Sequence, residues 1–291
     1  MGYAGLALCQ SCSVSQDALY NGGNSLSFSD LREERFDHQK FQKYFVNFVY
    51  KALLFTNNSS NSRMLDKFSL VIYNRHDVAD LNIWISSVLN RGVKNLMIYS
   101  SVYELPFSAS TSNYLLNSTL LEELKLELKM FTTIKVPTNS VHFGHLKHLK
   151  LSGIYFDIDP SSNCLTLSLP VLKMFEIRDC NLSSGKDVIV EASLLESILI
   201  HDYLEDLQCQ SIKFNVLYLK EFSYRGYVVS QQIDLSGCGF LSSASVKIYL
   251  YQCRNIHPET TCYAFELFQH FHQVKCIKLK GSEVSILSNL F

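Results

Sequence analysis

Apolar side chains recur in one phrase along this chain. Leu121, Leu124 and Leu126 are spaced L-x-x-L-x-L, and so are Leu146, Leu149 and Leu151. The same spacing returns with Val93, Leu96 and Ile98, and with Leu172, Phe175 and Ile177. It appears again with Leu195, Ile198 and Ile200, and with Leu219, Phe222 and Tyr224. The middle residues, 96, 124, 149, 175, 198 and 222, lie 28, 25, 26, 23 and 24 residues apart. Residues two apart share one face of a strand, so each phrase predicts a strand that buries two side chains and turns their neighbours outward. One such unit cannot enclose a core, but a stack of them can.

Period and phrase are those of a leucine-rich repeat. The predicted fold class is therefore α/β: a leucine-rich-repeat solenoid with a curved parallel sheet and one short strand per unit. The crossovers are expected to be right-handed. The repeats are degenerate, with periods of 23–28 residues. Cys180 and Leu182, and again Cys238 and Phe240, supply the N/C-x-L ending of a unit. The return segments hold turn formers, such as Val136-Pro137-Thr138-Asn139 and Asp159-Pro160-Ser161-Ser162-Asn163. They predict loops and short turns rather than full helices. After Tyr224 the phase is harder to hold. Val246, Ile248 and Leu250 alternate as one strand, and Val274, Ile277 and Leu279 restore the phrase. The chain ends on the apolar Phe291, which points to further sequence beyond it.

Ahead of the repeats the pattern changes. Residues 1–30, rich in Gly, Ser, Asn and Gln, predict a poorly ordered tail. Residues 31–66 predict a helical cap and linker: Phe41, Tyr44, Phe45, Phe48, Val49 and Ala52 form a helical stripe, with Asp37 as N-cap. Residues 67–291 are the repeat domain, beginning with the strand of Phe68, Leu70 and Ile72. A second helix follows, with Asp77 as N-cap and Leu81, Trp84, Ile85, Val88 and Leu89 buried. Gly92 is placed to take the left-handed turn into the next strand.

Composition narrows the function. A net charge of −1 in 291 residues gives no field that would favour nucleic acid or an anionic membrane. No run is long enough to span a bilayer, and the apolar start lacks a basic leader. Nine cysteines without clustered pairs read as reduced thiols, which suits a cytoplasmic or nuclear protein. The four N-x-S/T triplets, at Asn57, Asn58, Asn117 and Asn181, are what a chain rich in Ser and Asn contains by chance.

If the phrase residues face the core, the residues between them line the concave face of the sheet. The candidates for binding a partner protein there are Tyr99, Glu123, Lys125, Glu127, His148, Lys150, Glu176, Arg178, His201, Glu221 and Arg225. Charges of both signs suit protein recognition better than a phosphate track.

No constellation in the sequence defines an active site, so a non-enzyme without metal or cofactor is expected. Cys9 and Cys12 form an isolated C-x-x-C. His142, His145 and His148 are expected on a strand and its approach loop, pointing apart. Cys262, His270, His272 and Cys276 fit no standard site, and Phe265, Phe268 and Phe271 beside them suit a packed helix. Gly185-Lys186-Asp187 lacks the residues of a phosphate loop, and no G-x-S-x-G is present.

Taken together, the run from Phe41 to Ser62, the segment Trp84-Ile85-Ser86-Ser87-Val88-Leu89-Asn90-Arg91-Gly92-Val93-Lys94-Asn95-Leu96 and the degenerate units after it resemble the plant F-box/LRR proteins. Many of those also carry an FBD tail. The likeness covers about residues 25–291, and the Trp84 segment is its most specific part. It implies repeats that choose the substrate of an SCF-type ubiquitin ligase. In the family an F-box that binds the Skp adaptor lies just upstream of the part matching Ser25 to Leu31. Met1 to Asn24 offers no such helical module, and no FBD is legible, so adaptor binding is expected only with an upstream F-box. The alternative is a stand-alone scaffold or decoy without a ligase role.

Overall fold

The computed structural model describes residues 25–29, 38–55, 65–73, 75–103, 107–136, 138, 140–182, 186–203, 211–226, 232–239, 241, 245–250 and 258–281. Among them, every pair of neighbouring strands runs parallel. In chain order the elements are β1 (Ser25–Ser29), α1 (His38–Phe55), β2 (Lys67–Ile72), α2 (Val78–Asn90), β3 (Asn95–Tyr103) and α3 (Ala109–Leu116). There follow β4 (Glu123–Val136), β5 (Ser140–His142), β6 (His148–Ile158), β7 (Cys164–Ser168), β8 (Met174–Arg178) and β9 (Asp187–Glu191). Last come β10 (Ser197–Asp202), β11 (Ser211–Asn215), β12 (Glu221–Gly226), β13 (Gln232–Asp234), β14 (Ser245–Leu250), α4 (Pro258–Gln269) and β15 (Ile277–Gly281).

The strands form two sheets. Among the described residues the front sheet has ten, in the order β1-β2-β3-β4-β6-β8-β10-β12-β14-β15, and the back sheet has five, β5-β7-β9-β11-β13. From β4 to β14 the chain alternates between them. Before β4 the crossovers are helical, and α4 makes the last one, between β14 and β15.

Here the expectation of loops and short turns as crossovers is corrected. The turn formers of Asp159–Asn163 mark a corner, and a five-residue strand, β7, follows at once. Leu165 and Leu167 in β7, Val188 and Val190 in β9, and Ile212 and Phe214 in β11 alternate buried with part-exposed neighbours. Runs this short beside Pro, Asn and Ser carry the strand period, but too briefly to stand out from the turns. One short strand per unit is also too simple, because β4 runs for 14 residues and β6 for 11. They pair twice, with a register shift between Glu127 and Thr132.

The core lies between the sheets. In the front strands the middle and last residues of each phrase, Leu96 and Ile98 through Phe222 and Tyr224, are no more than 4 % exposed. Burying each such side chain stabilises the fold by about 1.5–3 kcal/mol relative to leaving it in water. Phe175 of β8 meets Phe214 of β11 edge to face, ring centroids 5.5 Å apart, so side chains from both sheets close the gap. One hydrophobic cluster runs from Phe45 to Phe271.

Main-chain hydrogen bonds set the spacing of the units at their entry corner. Lys94 O accepts from the N–H groups of both Glu122 and Glu123, and Glu122 O accepts from those of Lys147 and His148. Lys147 O, Lys173 O and Glu196 O repeat this fork toward Met174, Ser197 and Glu221. Each unit thereby satisfies two donors on one carbonyl of the unit before it.

The helices sit at the ends of the stack. In α2, Asp77 accepts from Ala79 N at 2.8 Å, and Gly92 takes φ 71°, both as expected. Trp84 is fully buried, edge-on to Phe45 and Tyr50 of α1. The buried stripe of α1 is Phe45, Val49 and Leu53, whereas Tyr44, expected within it, is 58 % exposed. A helix does form within the cap and linker expected at 31–66. β1 pairs outside β2, so α1 is a crossover between neighbouring strands and shares the core of the strands after it. The strand Ser25–Ser29 likewise replaces the last part of the tail expected over 1–30, because its alternating Ser and apolar residues pair in register with Lys67–Val71. Asp37 and Cys9-x-x-Cys12 lie outside the described residues.

Candidate partner-binding surface

The parallel register turns the outward residues of the front sheet into three rows that cross it. The first row contains Asn95, Glu123, His148, Met174, Ser197, Glu221 and Ser245. The second contains Met97, Lys125, Lys150, Glu176, Leu199, Ser223, Lys247 and Lys278. The third contains Val71, Tyr99, Glu127, Ser152, Arg178, His201, Arg225, Tyr249 and Lys280. All eleven residues picked from the alternation fall on these rows. They are not scattered, because equal spacing and unshifted pairing bring them side by side.

Charge along the rows is partly cancelled in the plane of the sheet. Lys125 Nζ lies 2.6 Å from Glu123, and Lys150 Nζ lies 3.0 Å from Glu127 and 3.5 Å from Glu176. His148 Nδ1 is 4.0 Å from Glu123, and Lys247 Nζ is 2.6 Å from Glu221. Each pair is part-exposed and adds little stability by itself. Tyr99 is 38 % exposed and its ring lies 5.9 Å from that of Tyr73. The Arg225 guanidinium sits 4.8 Å over the Tyr249 ring, a cation–π contact.

His201 departs from the expectation of an outward side chain, for it is only 8 % exposed. Its strand runs between those of Arg178 and Arg225, and the Tyr203 ring stands 6.5 Å away. Burial pushes its imidazole below the ordinary range, and the neighbouring Arg178 and Arg225 push it the same way against Glu176 and Asp179.

The sequence reading missed Lys247, Tyr249, Lys278 and Lys280 on this face, and Tyr73 beside it. The signal for Lys247 and Tyr249 was present, since they interleave Val246, Ile248 and Leu250, which alternate as a strand. Loss of phase after Tyr224 kept them off the list.

The histidines set apart in the sequence go separate ways. His142 lies on β5 of the back sheet, not in an approach loop, with Nδ1 3.0 Å from Ser168 Oγ. His145 Nδ1 contacts the Thr119 carbonyl at 2.9 Å. His270 Nε2 accepts from Leu235 N at 3.4 Å, and His272 Nδ1 contacts the Gln269 carbonyl at 2.9 Å. The helix expected near Phe265 forms as α4, with Leu267 and Phe271 buried but Phe265 43 % exposed. Among the described residues no three metal-ligating side chains gather, and no helix is long and apolar enough to cross a membrane.

Comparison with known proteins gives several relatives. The chain is 26 % identical over 181 residues to an F-box/LRR-repeat protein of Arabidopsis thaliana, covering 62 % of this chain and 38 % of that protein. A second F-box/LRR-repeat protein of Arabidopsis thaliana is 33 % identical over 122 residues, 41 % of this chain and 24 % of its own length. An F-box protein of the same plant is 27 % identical over 211 residues, 70 % of this chain and 40 % of its own length. The matched parts thus span well under two thirds of these relatives. No family model matches the sequence, and no solved structure matches it.

Proposed function

We propose, from the premise that the chain is a plant F-box/LRR-like protein, that residues 67–291 are a leucine-rich-repeat solenoid that binds a protein substrate. Its binding surface is the outer face of the front sheet, which we read as concave, and the residues that meet the partner are the exposed side chains of the three rows. The reading is of a non-enzymatic recognition subunit of an SCF-type ubiquitin ligase, acting in the cytoplasm or nucleus. Docking on a Skp adaptor belongs to an F-box and is not assigned to these repeats.

The observation that supports this reading most is the register. Ten parallel strands in one sheet present their outward residues in continuous rows, while the phrase residues beneath them are buried. A face built in this way is wide and rigid, and its Tyr and Arg side chains are the types that anchor protein interfaces.

The test compares partners captured from plant tissue by the native chain, by Tyr99→Ala with Lys150→Glu, and by Lys213→Glu on the back sheet. Each captured protein is then purified and titrated against all three. The expected result is a partner lost by the front variant and kept by the back variant. Equal binding to both would sink the reading. A parallel titration with purified Skp adaptor is expected to show no binding, and binding would place adaptor docking in these repeats.

A further inference from the structure

The cancellation of charge on the front face is uneven. From β8 onward the outward side chains include five cations, Arg178, Arg225, Lys247, Lys278 and Lys280, and two carboxylates, Glu176 and Glu221. Both carboxylates are already engaged, Glu176 by Lys150 and Glu221 by Lys247. Among the described residues neither arginine has an acidic partner within ion-pair distance, and Arg225 Nε is buried without a hydrogen-bond partner. Such an unmet donor is costly inside a protein.

The strand positions that carry the two arginines have a fixed separation. Each is in register with His201, Arg178 on one side and Arg225 on the other. They are thus two strand spacings apart, about 9.4–9.8 Å along the row. Tyr249 supports the guanidinium of Arg225 from its other side. Between them, burial first and then both guanidinium groups push His201 toward its uncharged form.

We propose that Arg178 and Arg225 bind an extended acidic segment of the protein partner, in which two carboxylates stand three residues apart. This rests on the reading of the front face as the partner surface, and it names the chemistry that face selects. A chain in the polyproline II conformation advances about 3.1 Å per residue with three residues per turn, so residues i and i+3 lie on one side about 9.3 Å apart. That matches the arginine spacing. The segment runs across the strands along the third row, and each carboxylate takes one guanidinium fork bidentately. Lys280 continues the row and extends the same preference for negative charge.

The test is a fluorescence-anisotropy titration of the full 291-residue chain with labelled peptides. The probe is a Glu-Pro-Pro-Glu peptide. The controls are Gln-Pro-Pro-Gln, a Glu-Pro-Glu peptide with its acids two apart, and a Glu-free peptide carrying one phosphoserine. The probe is expected to bind about tenfold more tightly than every control and to weaken as salt rises. Arg178→Gln and Arg225→Gln should each remove that preference. Arg178 is exposed, so its replacement keeps the test valid if the Arg225 variant fails to fold. Equal binding of probe and Gln control, no loss in the Arg178 variant, or preference for the phosphoserine peptide would each overturn the proposal. If the probe fails while the Tyr99 and Lys150 variant still loses its partner, the acidic segment is refuted and the surface stands. If that variant keeps its partner as well, both fall.

Discussion

Leu124 and Lys125 are chain neighbours on opposite faces of one strand. Leu124 is 2 % exposed and lies between Leu96 and Leu149, whereas Lys125 reaches out to Glu123. Leu124→Asp should cost at least about 3 kcal/mol, since it removes packing and places a charge in a core shared by three units. Lys125→Ala should change stability by under about 0.5 kcal/mol. Urea denaturation followed by circular dichroism checks both, and equal midpoints would show the inside and outside to be reversed. His201 couples folding to protons. Its folded pKa lies below that of an exposed imidazole, so the unfolded chain binds a proton that the folded one resists. Stability is therefore complete above the ordinary imidazole value and is lost as the pH falls through it toward the lower folded one. His270, also held low by burial, adds to the same slope. His201→Gln should flatten the fall in melting temperature between pH 7 and pH 5 in part, and an unchanged profile would count against the burial of this ring.

At the scale of elements, the corners that close the repeat phrase carry buried thiols. Cys180 Sγ lies 3.2 Å from the Arg178 carbonyl, and Cys238 Sγ lies 3.6 Å from that of Phe214. Burial pushes both thiols up to about 12, while Cys262 and Cys276 are exposed. Brief alkylation of the native protein, read site by site by mass spectrometry, should mark Cys262 and Cys276 and spare Cys180 and Cys238 until denaturant is added. The elements also differ in how far the sequence discloses them. The front strands are legible because large apolar residues hold one phrase over many units. The helix α3 is not, since Ala-Ser-Thr-Ser-Asn-Tyr-Leu-Leu has few strong helix formers. It forms because Ser108 caps it, accepting from Thr111 N, and because buried Thr111 and Ser112 let it pack closely on α2, where Thr111 Oγ1 donates to Asn82. Such a fit depends on a neighbour 29 residues away, which no local period reports. The candidate surface shares this division: its residues follow from alternation alone, but the surplus of cations needs the pairing of Lys150 and Lys247 to be seen.

Among the described residues each front strand pairs only with those beside it, so stability should be graded along the sheet rather than uniform. Amide hydrogens of β6, β8 and β10, flanked on both sides in the front sheet, should exchange more slowly than those of β1 and β15 at its edges. Native-state hydrogen exchange by mass spectrometry reads this directly, and a single rate for all front strands would show one cooperative block instead. Among the described residues the helical crossovers lie on the two outer portions, beside which no back-sheet strand stands.

The fork of two N–H groups on one carbonyl has a consequence for variation. Because main-chain atoms set the step from unit to unit, almost any side chain at residues such as Glu122, Lys147 or Lys173 is compatible with it. Outward side chains can then vary one at a time, which would change what the surface selects while the step between strands stays fixed.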